Sequence, residues 1–142
     1  MTGYSWVSIT ALLCYLFLFL TFLTAKKNTK VIRAFMMLLV IMILWAGGSF
    51  AMRAQLWPEV NLWHHISLLG MFLLAAGYFN FIAAFLEESN SNAGYIWGVF
   101  YIALFVFNSI TGLFIPEPVV IYNDGAAQFV YNYSWHIYIL LA

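Results

Sequence analysis

Charge is nearly absent from this chain. Five acidic and five basic residues make up 7% of 142 positions, against about a quarter in an ordinary soluble domain. The two signs cancel, which leaves no basic surface to hold nucleic acid. Cysteine is almost as scarce: Cys14 stands alone, can form no internal disulfide and says nothing about redox compartment. It reads as a small buried hydrophobe rather than a reactive thiol. The signatures of catalysis are missing too. The sequence has no Gly-rich phosphate loop ending in Lys-Ser/Thr, no His-Glu-x-x-His, no Cys-x-x-Cys and no strand-turn-helix serine nucleophile. The single adjacent carboxylate pair, Glu87-Glu88, sits in a solvated turn without a basic neighbour. This segment does not read as an enzyme, and no cofactor is called for.

What fills the chain instead is hydrocarbon. Residues 1–25, 34–52, 60–86 and 89–116 contain no Asp, Glu, Lys or Arg. The shortest of these runs has 19 residues and extends about 28 Å as a helix, close to the thickness of a bilayer's apolar core. The start, Met1-Thr2-Gly3-Tyr4, lacks the positive region of a signal peptide, so the first run is kept as a membrane helix. The expected fold is an all-α integral membrane helical bundle. Its helices cover residues 4–24, 31–51, 61–86 and 93–115. A short β-hairpin on the extracytoplasmic side follows helix four, and a fifth helix begins at residue 131.

Four of the five basic residues, Lys26, Lys27, Lys30 and Arg33, fall between helices one and two. Under the positive-inside rule that loop is cytoplasmic and the N-terminus is outside. Residues 54–60 and 116–130 are then outside and residues 87–92 inside. Trp6, Trp57, Trp63 and Trp135 fall at the outer interface and Trp97 at the inner one, as an aromatic belt requires. Trp45 is the exception, within helix two, where its indole N–H calls for another helix or a cavity. Pro116-Glu117-Pro118 is expected to stop helix four. Beyond it, residues 119–122 and 128–131 are β-prone runs on either side of Asn123-Asp124-Gly125-Ala126-Ala127, and the alternative to a hairpin is an irregular loop. The last 12 residues are too few to span, so the chain is expected to be a single domain over 1–142 that ends within helix five.

Small and polar residues inside the helices point to packing and to a site. Ala76, Asn80 and Ala84 recur at four-residue spacing on helix three, and Gly47, Gly48 and Ala51 form a similar patch on helix two. Such stripes let backbones approach, and an amide there bonds across the contact. The expected packing residues are therefore Gly47, Ala51, Ala76, Asn80 and Ala84. Aromatic and small residues in the outer halves of helices two, three and four suit a small amphiphile. The candidate ligand-binding residues are Trp45, Trp63, His64, Asn108 and Thr111. His64, Asn108 and Thr111 would orient the ligand through hydrogen bonds. His64, His65 and His136 also suggest axial haem ligands, although boundary histidines bonded to water or backbone are the commoner case.

In its layout the chain resembles the N-terminal seven-helix sensor region of bacterial membrane histidine kinases, a module also fused to diguanylate cyclases. The resemblance rests on the N-out start, the basic first loop, Trp45 followed by small residues, the Trp57-Pro58-Glu59 break and the hairpin-like stretch ahead of an aromatic fifth helix. It extends to the ligand-sensing half of autoinducer receptor kinases. It implies a multi-pass protein of the bacterial inner membrane that binds a small hydrophobic or amphiphilic ligand and passes the signal to a cytoplasmic output module. Any kinase or cyclase activity, and any homodimer built through that module, would belong to residues beyond these. Two other readings stand beside it: a membrane anchor holding haem or quinone through His65 and His136, and a small membrane subunit or assembly factor. A transporter is disfavoured by the lack of an intramembrane acid or base and of an internal repeat.

Overall fold

The computed structural model describes residues 3–24, 29–87, 91–123 and 126–131. Four helices, α1 (Gly3–Leu23), α2 (Lys30–Arg53), α3 (Val60–Phe85) and α4 (Ser91–Thr111), precede two strands, β1 (Val119–Asn123) and β2 (Ala126–Val130). All four helices are long and apolar enough to cross a membrane. Their surfaces carry the same message. None of the 18-residue apolar window of α1 is buried, and Phe17 and Ile110 remain 70% and 79% exposed. In water such faces would drive aggregation; in a bilayer, lipid covers them. The chain is a multi-pass membrane protein. Two hydroxyls of the lipid-facing α1 are satisfied within the helix: Thr10 and Thr21 each donate to the carbonyl four residues back, at 2.8 Å.

Local chemistry sets the helix ends. Thr29 caps α2, its hydroxyl accepting from Ile32 N at 3.3 Å, so the helix starts one residue before the expected Val31. At the other end Gln55 takes a left-handed φ of 51° and Leu56 N returns to Ala51 O at 3.0 Å. Helix four ends at Thr111, four residues earlier than the expected 115. The prolines do not stop it. Gly112, at φ 60°, reverses the chain, and a side chain without Cβ makes that conformation cheap.

The helices pack in chain order, α1 on α2, α2 on α3 and α3 on α4, and the residues that meet (Phe22 with Phe35 and Leu12 with Gly47, Ser67 with Gly48 and Gly77 with Ile41, Asn80 with Gly94 and Phe72 with Phe105) make neighbours antiparallel. The core lies between α2 and α3, where Leu38, Leu39, Ile41, Ala46, Ala51 and Met52 meet Leu68, Phe72 and Ala76. Glycine makes this contact close. A Cβ on Gly48 would lie 2.7 Å from Ser67 N, and one on Gly70 would lie 2.6 Å from Trp45 N. Ser67 Oγ donates to Trp45 O at 3.2 Å across the same seam. Of the residues expected to pack, Ala51 and Ala76 are buried in this core. Gly47 faces α1 instead, and a Cβ there would meet only Leu12 Cδ1 at 3.7 Å. Asn80 faces α4, its amide filling the space that a side chain on Gly94 would need. Ala84 is half-buried near the far end of α3.

The strands pair antiparallel from Val119↔Val130 to Asn123↔Ala126. The ladder therefore extends past the expected runs, taking in Asn123, Ala126 and Ala127 and leaving two residues, Asp124 and Gly125, between the strands. Alanine and asparagine are poor strand formers, which hid this extension; pairing to the partner strand outweighs propensity. Residues 132–142, and with them most of the expected fifth helix, Trp135 and His136, lie outside the described residues.

Candidate functional site

Among the described residues, two cavities open at the end of the molecule that carries the α2–α3 connection, one on each side of the α2·α3 core. The first, of about 210 Å³, lies between α3 and α4 and is lined by His64, His65, Leu68, residues 108–112, Ile115 and Glu117. The second, of about 290 Å³, lies between α1 and α2 and is lined by Val7, Ser8, Ala11, Tyr15, Trp45, Ala46, Ser49 and Arg53.

In the first cavity, α3 places His64 and His65 side by side, with ring centroids 5.8 Å apart and edge to face. His64 is 4% exposed, and Tyr131, returning from β2, sets its ring 6.0 Å away. The Tyr131 hydroxyl also reaches Met52 Sδ at 3.9 Å, so Tyr131 lies against both α2 and α3. Among the described residues, His64 Nε2 and Ser109 Oγ are buried without a hydrogen-bond partner. His65 Nδ1 lies 2.8 Å from Asn61 O. A carbonyl only accepts, so Nδ1 carries the proton, and in the neutral ring Nε2 presents a lone pair. Asn61 Nδ2 donates to Glu117 Oε2 at 3.1 Å, tying the segment after α4 to the start of α3. Among the described residues, Glu117 is the cavity's one formally charged side chain.

Asn108 has another task. It is 2% exposed, and its Oδ1 accepts from Phe114 N at 3.0 Å and Ile115 N at 2.9 Å while Nδ2 donates to Ile115 O at 3.1 Å. The amide thus holds the reversal that follows Gly112. Thr111 is similarly engaged, donating to Phe107 O at 2.8 Å and accepting from Leu113 N at 3.3 Å.

His64, Asn108 and Thr111 line the same cavity, and beside it His64 Nε2 and Ser109 Oγ are buried without a partner among the described residues. Trp45 is on the other side of the core, in the second cavity. Trp63 lines neither; its indole N–H donates to Leu56 O at 3.0 Å and clamps the α2–α3 turn. Ser109 and Glu117 line this cavity but were not among the candidate ligand-binding residues. The Ser109 signal was its place beside Asn108, and that of Glu117 was a lone carboxylate between two prolines at a membrane edge, read only as a helix stop. The axial pair required by the haem reading includes His136, which lies outside the described residues. Among the described residues no group of three His, Cys, Asp or Glu side chains is placed to hold a metal ion. No known protein family, curated protein or solved structure matches this chain.

Proposed function

We propose that this chain is the membrane-embedded input domain of a signal-transduction protein, akin to the sensor regions that precede bacterial histidine kinases and diguanylate cyclases. It takes up a small amphiphile between α1 and α2 and passes the resulting helix displacement to a cytoplasmic output module. The observation that carries this reading is the Trp45 cavity. Val7, Ala11, Tyr15, Trp45 and Ala46 give it apolar and aromatic walls, and Ser8, Ser49 and Arg53 add polar groups. For a ligand arriving from water, each buried methylene is worth about 0.8 kcal/mol. For one already in the bilayer apolar contact gains nothing, and the polar groups decide what is retained.

The unequal packing of the helices supports a relay. Glycine contacts lock α2 to α3, whereas no part of the apolar window of α1 is buried. A molecule wedged between α1 and α2 therefore displaces α1, the less anchored partner. The aromatic contact of Phe22 with Phe35, centroids 5.0 Å apart, then serves as the pivot near the opposite end of both helices.

The reading is tested in phosphatidylcholine bilayers with Trp45 as the sole tryptophan, the other five changed to phenylalanine. A bromoacyl amphiphile should quench its fluorescence saturably, and Ala11→Phe, which fills the cavity, should weaken that quenching about tenfold. Quenching that rises linearly with mole fraction, unaffected by Ala11→Phe, would reduce the cavity to ordinary lipid contact.

The orientation belongs to the same proposal: a bacterial inner-membrane protein with its N-terminus outside and residues 87–92 in the cytoplasm. A cysteine introduced at Asn90 in a Cys14→Ser background should resist an impermeant thiol reagent in intact cells and react after lysis. Labelling in intact cells reverses the map.

A further inference from the structure

The cavity between α1 and α2 has a polar end and an apolar end, and the register of the two helices fixes their order. Leu12 meets Gly47, and Phe22 meets Phe35 farther along the antiparallel pair. Counting back from the first contact sets Ser8 between the levels of Ser49 and Arg53, and counting forward sets Tyr15 beside the level of Trp45. On α2 the lining positions 45, 46, 49 and 53 recur every three or four residues, so they share one face. Arg53 stands eight residues from Trp45, about 12 Å along the helix. Arg53, Ser49 and Ser8 therefore gather at one end of the cavity, and Ala46, Ala11 and Trp45 line the other with apolar surface.

Arg53 is the one formally charged side chain lining this cavity among the described residues, and no Asp or Glu lines it. A guanidinium stays protonated and carries five N–H donors, so it can serve a further acceptor besides any that it already holds. Among the described residues, the Ser8 and Ser49 hydroxyls make no hydrogen bond and are not buried. This end opposes a cation. A neutral alcohol can use the hydroxyls but gains nothing from the charge. A carboxylate accepts from the hydroxyls and forms a charge-assisted bond with the guanidinium, the stronger kind. The volume of about 290 Å³ equals roughly ten liquid-water volumes. That is room for one chain of medium length and not for the paired acyl chains of a phospholipid.

We infer that the amphiphile taken up here is a single-chain, medium-length carboxylic acid, bound as its carboxylate. The carboxylate lies at Arg53, Ser49 and Ser8, and the chain runs inward past Ala46 and Ala11 to Trp45. The inference rests on the amphiphile reading of this cavity and adds the charge and the direction of the ligand.

The protein with Trp45 as sole tryptophan, in phosphatidylcholine bilayers at alkaline pH, tests it. The probes are 8-bromooctanoate, 8-bromooctanol, 8-bromooctyltrimethylammonium and 2-bromooctanoate, compared at equal mole fraction in the membrane. Octanoate carrying bromine at its far end should quench saturably, at about a tenth of the mole fraction that the alcohol needs, the effect of one charge-assisted hydrogen bond. The ammonium should show no saturable quenching. With bromine beside the carboxylate, the acid should quench less at saturation, because this short-range quencher is then held at the Arg53 end. Arg53→Gln should weaken 8-bromooctanoate about tenfold and leave the alcohol unchanged, which also reports that the cavity is intact.

Saturable quenching by acid and alcohol at the same mole fraction leaves the amphiphile reading standing and overturns this inference. So does an unchanged affinity for the acid in Arg53→Gln, or equal quenching at saturation by the two bromooctanoates. If phosphatidylglycerol at the same mole fraction as the acid abolishes its quenching, the site takes an anionic lipid headgroup and the free acid is overturned. Saturable quenching by none of the probes overturns both readings together.

Discussion

Gly70→Leu is expected to separate α2 from α3 and abolish the stable fold. The position has no room for a side chain. A Cβ there would sit 2.6 Å from Trp45 N and 2.9 Å from Trp45 Cα, and backbone atoms cannot rotate away as a side chain can. Accommodation requires the helices to move apart, and with them go the Gly48 contact and the Ser67–Trp45 hydrogen bond. Even Gly70→Ala should cost about 1–3 kcal/mol through overpacking, reduced by up to about 1 kcal/mol because alanine is the better helix former. Leucine adds three more carbons at the same point and should exceed that range. Gly98 on α4 is the control, since a Cβ there meets nothing within 4 Å. Gly98→Ala should be neutral or slightly stabilising. Unfolding of the reconstituted protein by increasing mole fraction of dodecyl sulfate, followed by far-UV dichroism, compares them directly. If Gly70→Leu unfolds at the same point as Gly98→Leu, the glycine seam is not what holds the core.

Asn108→Ala should be the most damaging polar substitution among the described residues. The side chain satisfies two backbone N–H groups and one carbonyl of the Phe114–Ile115 turn from a position that is 2% exposed. Truncation strands those groups where water is scarce, at about 1–3 kcal/mol for each one left unpaired. Asn108→Asp should not rescue it at neutral pH, because it replaces the donor facing Ile115 O with a second acceptor and adds a buried charge. The segment that leads into β1 should then detach from α4, which limited proteolysis between residues 112 and 118 reads as faster cleavage. Thr111→Ala is the comparison. Its hydroxyl bonds lie on an exposed part of the same turn, and its loss should be small. Equal cleavage rates for Asn108→Ala and Thr111→Ala would show that the amide does not hold the turn. This outcome also bears on ligand response, since an Asn108 variant alters the cavity wall by unfolding it rather than by removing one ligand contact.

The sequence by itself determined the four spans, the polar breaks between them and the hairpin. Each of these rests on a local sum: a run without charge is apolar over its whole length whatever it packs against, and two β-prone runs flanking Asp-Gly favour pairing with each other. Ala51 and Ala76, which the sequence marked for packing, are buried, but the four-residue stripes that singled them out do not each face one neighbour.

Which face of each helix turns inward was decided only by the tertiary structure. Gly47 and Gly48 are adjacent, yet one meets α1 and the other α3, because successive residues point about 100° apart around a helix. Asn80 shares a stripe with Ala76 but meets α4. Trp45 and His64 fall into different cavities, and Glu117 reaches the start of α3 only because Gly112 and Asn108 fold the chain back. A soluble helix announces its buried face through the contrast between apolar and polar sides. These helices are apolar all round, and lipid is as apolar as a protein interior, so that contrast is missing. Here the inward faces follow from steric fit between particular side chains and from a few buried hydrogen bonds, and both depend on residues distant in the sequence.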